Sequence, residues 1–341
     1  MKRVLIIKVT SLGDIVEALP VVADIRRQFP GVKVDWAADE SFAEVVRWNA
    51  GVDRVLCAPL RRFKRARSLQ DLRLIAASIR ELRAERYDAI IDIHGVYKSA
   101  IIAWLARGKR RFGYQTKDLG ERGAAFAYTH RFGPRPNCDA WQGMRVSTGE
   151  ALGYVADTPP DFDLRVPRDG EPALLAPDGP FALLFHATSK DEKQWPVEHW
   201  VKLGRELAAQ GLGIEIPWGS DAERERAAEI ASAVPRASVL RKLSVKQIAQ
   251  RIEDASLVVG TDTGFVHLAH ALMKPTVMVF VATSPDHCGV HAPERSISVG
   301  DGTHVPPVER VLEAIGQVYR PSHIAAPART HDSISAYGTG T

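Results

Sequence analysis

Short apolar stretches alternate with longer amphipathic stretches along most of this 341-residue chain. In the first half, the apolar stretches are residues 4–9, 33–36, 52–56 and 87–93. Their length is typical of buried strands, and the spacing of leucine and isoleucine over residues 72–82 predicts a helix between two of them. Strands that alternate with helices predict a parallel, doubly wound α/β sheet with helices on both faces.

The alternation stops near residue 157, in a stretch rich in Pro, Gly and Asp, and starts again at residue 181. Such a stretch is typical of a linker between two domains. The predicted organisation is an N-terminal Rossmann-like domain (1–160), a linker (161–180), a C-terminal Rossmann-like domain (181–305), a closing helix (306–320) and a disordered tail (321–341). Ligands of such sheets bind beyond the carboxyl ends of the strands, so we expect a cleft between the two domains.

Charge is distributed unevenly between the two halves. Residues 1–150 contain 27 Lys and Arg against 17 Asp and Glu, whereas the rest of the chain carries a net charge of −6. An anionic partner for the first half is one explanation, and drift of surface charge is the other. Three cysteines without C-x-x-C spacing favour a reducing compartment over a disulfide scaffold or a zinc site. Since no stretch is long and apolar enough to span a bilayer, we expect a cytoplasmic protein with at most peripheral membrane contact.

Polar side chains follow the first predicted strand of each half. Gly13 and Asp14 follow the strand at residues 4–9, where the Asp14 carboxylate could accept a proton from a hydroxyl group or simply cap a helix. Residues 186–196 follow the strand at 181–185 with hydroxyl groups, lysines and backbone N–H groups that suit a diphosphate. An exposed polar loop is an equally good explanation of that second segment.

Two further loops of the second half end in predicted helices. Glu223, one turn into a helix, could bind a ribose diol or serve only as an acid near the positive end of that helix. Residues 260–267 combine a strand end, a turn of small residues and His267 on the first helical turn. The N–H groups of that turn would stabilise a phosphate leaving group, although a capped turn with a core histidine is the alternative.

Residues 61–67 hold five cations and one phenylalanine. A solvated loop is the usual explanation of such a run, but here it follows a strand on the basic half, and an anionic acceptor or membrane surface is at least as good an explanation. Nucleic acid is a further alternative, without any accompanying recognition motif. The D-x-D spacing of residues 161–163 lies in the linker and is interpreted as incidental.

Together, these loops resemble the lipopolysaccharide heptosyltransferase family. The segments that carry the resemblance are residues 8–14, 61–65, 92–100, 186–196, 217–219 and 261–267. These segments are spread over nearly all of the chain except the tail. Their order and spacing together carry the resemblance. The Pro-Trp-Gly and His-Ala-Thr-Ser segments favour the type I members of the family.

The resemblance implies a GT-B fold, two Rossmann-like domains with parallel sheets facing across a cleft. Because Lys193 and a helix dipole can replace a cation, we expect no metal or cofactor. It implies ADP-L-glycero-β-D-manno-heptose as donor, a Kdo residue of Kdo-lipid A as acceptor, and peripheral association with the anionic cytoplasmic face of the inner membrane. By resemblance, Asp14 is the general base. The implied donor-binding residues are Thr188, Ser189, Lys193, Glu223, Leu243, Asp262, Thr263, Gly264 and His267. The implied acceptor-binding residues are Arg61, Arg62, Lys64, Arg65 and Arg122.

Three alternatives remain open from the sequence. The first is a related heptosyltransferase that acts on an already heptosylated core. The second is a receptor of similar shape that closes on a nucleotide sugar without catalysis. The third is a nucleic-acid-binding protein, which the acidic second half disfavours.

Overall fold

The computed structural model describes residues 1–58, 68–169, 179–188 and 190–320. Predictions that concern residues 59–67, 170–178, 189 and 321–341 therefore lie outside the described residues. These include the predicted disordered tail and part of the predicted linker.

The first half of the chain builds one parallel sheet. Its strands are β1 (Arg3–Ile7), β2 (Lys33–Asp39), β3 (Arg54–Ala58), β4 (Ala89–Asp92), β5 (Arg111–Gly113) and β6 (His130–Arg131). Its helices are α1 (Leu12–Ala18), α2 (Pro20–Gln28), α3 (Ala43–Arg47), α4 (Leu69–Leu82), α5 (Tyr97–Leu105) and α6 (Ala140–Leu152), with 3₁₀ turns at Thr116–Asp118 and Arg122–Ala127. The strand order is β3-β2-β1-β4-β5-β6.

The second half repeats this architecture. Its strands are β7 (Phe181–Phe185), β8 (Gly213–Ile216), β9 (Ala237–Val239), β10 (Leu257–Thr261), β11 (Thr276–Val279) and β12 (Ser296–Val299). Its helices are α7 (Val197–Ala209), α8 (Asp221–Ser232), α9 (Val245–Asp254), α10 (Gly264–Ala271), α11 (Pro285–Cys288) and α12 (Val308–Val318), with a 3₁₀ turn at Asp191–Lys193. The strand order is β12-β11-β10-β7-β8-β9, and neighbouring strands are parallel in both sheets.

In each sheet the strand order reverses once. The reversal lies between β1 and β4 in the first sheet and between β7 and β10 in the second. Crevices at such reversal points, beyond the carboxyl ends of the strands, are where open α/β sheets bind ligands. The loops after these four strands hold Asp14, His94, Thr188 and Asp262, so the fold places most of the chemically distinctive loops at the two expected positions.

Local sequence signals explain several helix starts. Asp14 lies at the third position of α1 and accepts hydrogen bonds from the backbone N–H and hydroxyl groups of Ser11. Helices α4, α8 and α9 also begin with a serine that is followed three residues later by an acid or amide. In these pairs, the side chain of each residue accepts a hydrogen bond from the backbone N–H group of the other. Each capping pair satisfies N–H groups that have no partner within the helix.

Two apolar cores hold the molecule together. One lies between the second sheet and the outer helices α7, α8 and α12. The other surrounds the first sheet and continues onto the facing side of the second sheet, where Phe185, Val266 and Met278 belong to it. Where this core crosses from one half to the other, helices α1 and α10 pack directly against each other.

The predicted α/β fold class is confirmed, with both sheets entirely parallel in the described residues. Three short strands were nevertheless not predicted from the sequence. Local composition offers little sign of β5, β6 and β12, which are only two to four residues long. β6 and β12 are edge strands, and β5 lies between β4 and β6. Pairing with neighbouring backbone groups, rather than local composition, makes these segments strands.

Candidate active site

Asp14 lies at the start of α1 and faces the gap between the two halves. Its Oδ1 is 3.0 Å from Lys8 Nζ, and its Oδ2 accepts a 2.6 Å hydrogen bond from the Ser11 hydroxyl group. Burial alone would raise the pKa of this carboxyl group, but the charge of Lys8 and the hydrogen bonds from Ser11 outweigh it and hold the pKa well below its ordinary value. The side chain remains 46% exposed, so the capping carboxylate is also open to a ligand.

Glycines bring this helix into contact with the second half. A Cβ atom on Gly264 would lie 2.7 Å from Leu12 Cβ and 2.9 Å from the backbone nitrogen of Gly13. A Cβ atom on Gly13 would lie 2.8 Å from Cδ2 of His267. All three distances are shorter than a Cβ atom tolerates, which explains why glycine stands at both positions. Asp14 therefore lies beside the start of α10.

Asp262, directly after β10, connects the loops of the second half. Its Oδ2 accepts a 2.5 Å hydrogen bond from Lys193 Nζ and a 3.4 Å hydrogen bond from the Thr283 hydroxyl group. Its backbone carbonyl group accepts a 3.3 Å hydrogen bond from Thr188 Oγ1. An ammonium group and a hydroxyl group are thus held next to the N–H groups that begin α10, an arrangement that suits a diphosphate.

His267 lies on the first turn of α10 and is buried between the two halves. Its Nδ1 is 3.5 Å from Glu17 Oε1 on α1, and its Nε2 is 4.0 Å from Asp262 Oδ1. Burial lowers the pKa of His267, since a charged imidazolium would lose its hydration, although nearby carboxylates oppose the shift. We therefore treat its ring as neutral at physiological pH.

A cavity of about 390 Å³ opens between these loops. Its lining residues are Phe185, Ala187, Thr188, Pro217, Trp218, Gly219, Glu223, Leu243, Val245, Ile248, Thr263 and Phe265. The lining combines apolar side chains, such as Leu243 and Trp218, with polar ones, such as Thr188, Glu223 and Thr263. A volume at the lower end of the usual range for ligand pockets and a lining of this kind suit a base at one end and a ribose diphosphate at the other.

Glu223 also performs the ordinary capping role that the sequence left open. Its Oε2 accepts hydrogen bonds from the backbone N–H groups of Gly219, at 2.7 Å, and Ser220, at 3.3 Å. The carboxylate nevertheless lines the cavity. The cap fixes its position, and its remaining lone pairs could accept hydrogen bonds from a ligand.

The acceptor-side predictions fall partly within the described structure. Arg122 begins a 3₁₀ turn and is exposed. The adjacent Glu121 accepts a hydrogen bond from the backbone N–H group of Tyr97, which fixes this turn over the start of α5. Lys98, on α5, donates a 2.5 Å hydrogen bond to Thr10 Oγ1. Arg61, Arg62, Lys64 and Arg65 lie outside the described residues, as does the predicted donor residue Ser189.

His94 and Asp92 stabilise the loop after β4. Asp92 is fully buried and accepts hydrogen bonds from the Tyr128 hydroxyl group, at 2.7 Å, and from the backbone N–H group of His94, at 2.9 Å. Burial and the charges of Lys8 and Lys98 lower the pKa of His94 to about 3. A neutral His94 therefore adds no charge near Asp14. In the described part of the chain, no group of three or more His, Cys, Asp or Glu side chains is arranged to hold a metal ion.

Two residues of this site were not among the predicted ones. Lys8 directly follows β1 and is only 8% exposed, and Glu17 lies one turn after Asp14 on α1 and is 7% exposed. A lysine that follows an apolar strand, and an acid among the apolar residues of a short helix, were available signals, because such groups are seldom buried without a partner.

Comparisons with known proteins identify the family. Residues 75–312 match the family model of glycosyltransferase family 9 (heptosyltransferase). Lipopolysaccharide heptosyltransferase 1 of Escherichia coli (strain K12) is 34% identical over 297 residues, which cover 86% of this chain and 92% of that protein. The chain belongs to glycosyltransferase family 9. The family predicted from the loop motifs is confirmed, and the chain is a glycosyltransferase rather than a receptor or a nucleic-acid-binding protein.

Solved structures of this family have the same fold. The E. coli heptosyltransferase WaaC with ADP superposes with a TM-score of 0.82 at 32% identity, covering 93% of this chain and 99% of that chain. The same enzyme with ADP-2-deoxy-2-fluoro heptose gives a TM-score of 0.77 at 31% identity, over 92% of this chain and 99% of that chain. The predicted GT-B architecture is therefore confirmed.

Proposed function

We propose that this chain transfers L-glycero-D-manno-heptose from ADP-L-glycero-β-D-manno-heptose to a Kdo residue of Kdo-lipid A, with inversion at the anomeric carbon. The proposal rests on one observation, that polar groups from the two halves lie on either side of the same gap. The Asp14 carboxylate is contributed by the first half, and the Lys193–Asp262 pair beside the start of α10 is contributed by the second. The relatives that carry the names heptosyltransferase 1 and WaaC support a heptose donor attached to ADP.

Asp14 acts as the general base in this mechanism. The lowered pKa keeps its carboxylate ionised at physiological pH, so it is ready to accept the proton of an acceptor hydroxyl group. Lys8 and Ser11 fix the carboxylate in place, and its exposed part faces the gap. The proton is taken as the hydroxyl oxygen attacks the anomeric carbon from the face opposite the departing diphosphate.

The second half stabilises the departing ADP. The leaving diphosphate gains negative charge in the transition state, and Lys193, the Thr188 hydroxyl group and the N–H groups at Thr263 and Gly264 are positioned to stabilise that charge. The adenine would pack near Leu243 and the ribose near Glu223, within the 390 Å³ cavity. No metal or cofactor is part of this proposal, because these groups supply the positive potential themselves.

The acceptor side is proposed to lie on the membrane. Helix α4 presents Leu69 and Leu72 to solvent with 75% and 57% exposure, and α5 presents Trp104 with 58% exposure. Between the two helices lies an apolar groove of about 320 Å³. No helix among the described residues is long and apolar enough to cross a bilayer. These exposed apolar groups on the basic half support peripheral binding to the anionic cytoplasmic face of the inner membrane.

One assay tests the proposal. Purified enzyme with ADP-heptose is given either Kdo-lipid A or the same acceptor already carrying a heptose, and the release of ADP is followed. We expect ADP release with Kdo-lipid A and at most slow release with the heptosylated acceptor. The reverse preference would assign the chain to the alternative reaction on a heptosylated core. Absence of release with both acceptors would refute the proposed transfer.

A further inference from the structure

Glu17 is a buried acid that the mechanism above does not use. It lies on α1 at the contact with α10. Among the described residues, its Oε1 atom has no hydrogen bond of good geometry, although it lies 3.5 Å from Nδ1 of His267. A buried carboxylate without a strong partner costs folding free energy, so the protonated form is favoured at such a position.

The groups that face Glu17 come from every element packed around it. They are Lys8 after β1, Asp14 on α1, Asp139 before α6, Asp262 after β10, His267 on α10 and Cys288 on α11. Burial and then the charge of Asp14 raise the pKa of Glu17 to about 8, against the opposing charge of Lys8. Near neutral pH, Glu17 is therefore a carboxylic acid that can donate a hydrogen bond.

His267 offers the acceptor for that hydrogen bond. A neutral imidazole carries one proton, so one ring nitrogen donates and the other accepts. The ring is wedged against Gly13, with Nδ1 facing Glu17 and Nε2 facing Asp262. Since Asp262 is paired with Lys193 and accepts hydrogen bonds, the nitrogen facing it is better placed as a donor.

We propose that Glu17 is a positioning residue that donates its carboxyl proton to Nδ1 of His267 and thereby keeps the imidazole proton on Nε2, directed at Asp262 and at the bound diphosphate. The part that concerns the diphosphate rests on the proposed function, whereas the proton arrangement of the free protein does not. The 3.5 Å and 4.0 Å separations are long for hydrogen bonds, as separations between functional groups in unliganded sites often are.

Loss of the Glu17 proton reverses this arrangement. A carboxylate at position 17 attracts the imidazole proton to Nδ1 and leaves a lone pair on Nε2. That lone pair then faces the Asp262 carboxylate and the anionic diphosphate, which weakens donor binding. Donor affinity should consequently fall as the pH rises above about 8, while the ionised Asp14 is unaffected.

Nitrogen NMR of the free protein tests the proton arrangement directly. Histidines are labelled with ¹⁵N, and the signals of His267 are those that disappear in His267→Asn. At pH 7 we expect a protonated Nε2 and an unprotonated Nδ1, with a change of tautomer as the pH passes about 8. Glu17→Gln, whose amide N–H can donate to Nδ1 at any pH, should keep Nε2 protonated throughout.

Steady-state kinetics test the consequence for the donor. In the unmodified enzyme, the KM for ADP-heptose should rise about tenfold from pH 7 to pH 9, which corresponds to losing about one hydrogen bond to a charged group. Glu17→Gln should remove this rise, and Glu17→Leu should show the raised KM at both pH values with a smaller change in kcat. Glu44→Gln, which removes an exposed acid from α3, should behave as the unmodified enzyme.

A His267 ring that carries its proton on Nδ1 at pH 7 would overturn the proposal. So would equal KM values for Glu17→Gln and Glu17→Leu across the pH range, since a merely space-filling role predicts that equality. If Kdo-lipid A proves not to be an acceptor, the proposed function fails, but the NMR spectra of the free protein still decide the role of Glu17.

Discussion

Lys8 and Asp14 form an ion pair at the edge of the interdomain gap, with Nζ 3.0 Å from Oδ1. The lysine directly follows the first strand and is nearly buried, whereas the carboxylate lies in the first turn of the first helix and is almost half exposed. The pair thus joins a rigid sheet to a residue that can reach a ligand. It also sets the charge state of the proposed base.

Replacement of Asp14 by asparagine should remove the proton acceptor while keeping the shape of the site. We expect kcat to fall by roughly 10²–10⁴-fold, the usual contribution of a general base. The affinity for ADP should change little, because the proposed diphosphate site lies on the other half of the molecule. ADP release measures the first effect and calorimetric titration with ADP the second. Wild-type turnover by this variant would exclude Asp14 as the base.

Replacement of Lys8 by methionine should shift the acidic side of the pH–rate profile to higher pH. Without the ammonium charge, burial continues to favour the neutral acid, so the pKa of Asp14 rises from its lowered value. A protonated Asp14 cannot accept a proton, and activity should therefore fall at higher pH values than in the unmodified enzyme. The measurement is kcat/KM from pH 4.5 to pH 8. Lys2→Met, which changes an exposed lysine just before the opposite end of the same strand, should leave the profile unchanged.

Replacement of Gly264 by alanine should disturb the contact between the halves. The added Cβ atom would meet Leu12 Cβ at 2.7 Å and the Gly13 backbone at 2.9 Å, so α1 and α10 must separate. We expect the free energy of unfolding to fall by about 1–3 kcal/mol, as for other overpacked sites, together with a loss of activity. The matched control is Gly316→Ala, in helix α12 with open space around it, which should stabilise the protein by up to about 1 kcal/mol. Urea unfolding of both variants compares them, and equal stabilities would contradict the packing shown here.

The buried acid Glu17 should also make stability depend on pH. Its pKa is raised from 4.5 to about 8 in the folded protein, so between these values the folded state binds a proton that the unfolded state has lost. Stability contributed by this group is therefore lost as the pH rises from about 5 to 8. Relative to the unmodified protein, Glu17→Gln should gain up to roughly 4 kcal/mol across that interval, because each pH unit between the two pKa values contributes about 1.4 kcal/mol. Unfolding curves of both proteins at pH 5 and pH 8 measure this gain. If the difference between their free energies of unfolding is the same at both pH values, the raised pKa is disproved.

The exposed leucines of α4 should contribute to membrane binding. Leu72→Asp replaces a 57% exposed apolar side chain with a charge and should reduce sedimentation with vesicles containing anionic phospholipid by at least about fivefold. Gln70→Asp places the same charge on the same helix without removing apolar surface, and it should have a smaller effect. Equal losses in both variants would indicate that charge alone governs binding to the vesicles.

Much of the fold was available from local patterns. Runs such as residues 181–185 are apolar throughout and of strand length, and the intervening helices carry their own capping residues, including Ser220 with Glu223. These signals depend only on near neighbours in the chain. The short edge strands β6 and β12 could not be predicted in this way, because their backbone partners are supplied by distant segments.

The sequence by itself determined the alternation of strands and helices, the family resemblance and the loops where chemistry was expected. Only the tertiary structure decided what those side chains contact. Asp14 and Glu223 both act as caps, yet Asp14 also faces the gap and Glu223 lines the cavity of the second half. Lys8 sets the charge of Asp14, and Glu17 meets His267 from the opposite half of the chain. A charge state or a proton position depends on burial and on partners brought together by folding, and neither is encoded in the spacing of neighbouring residues.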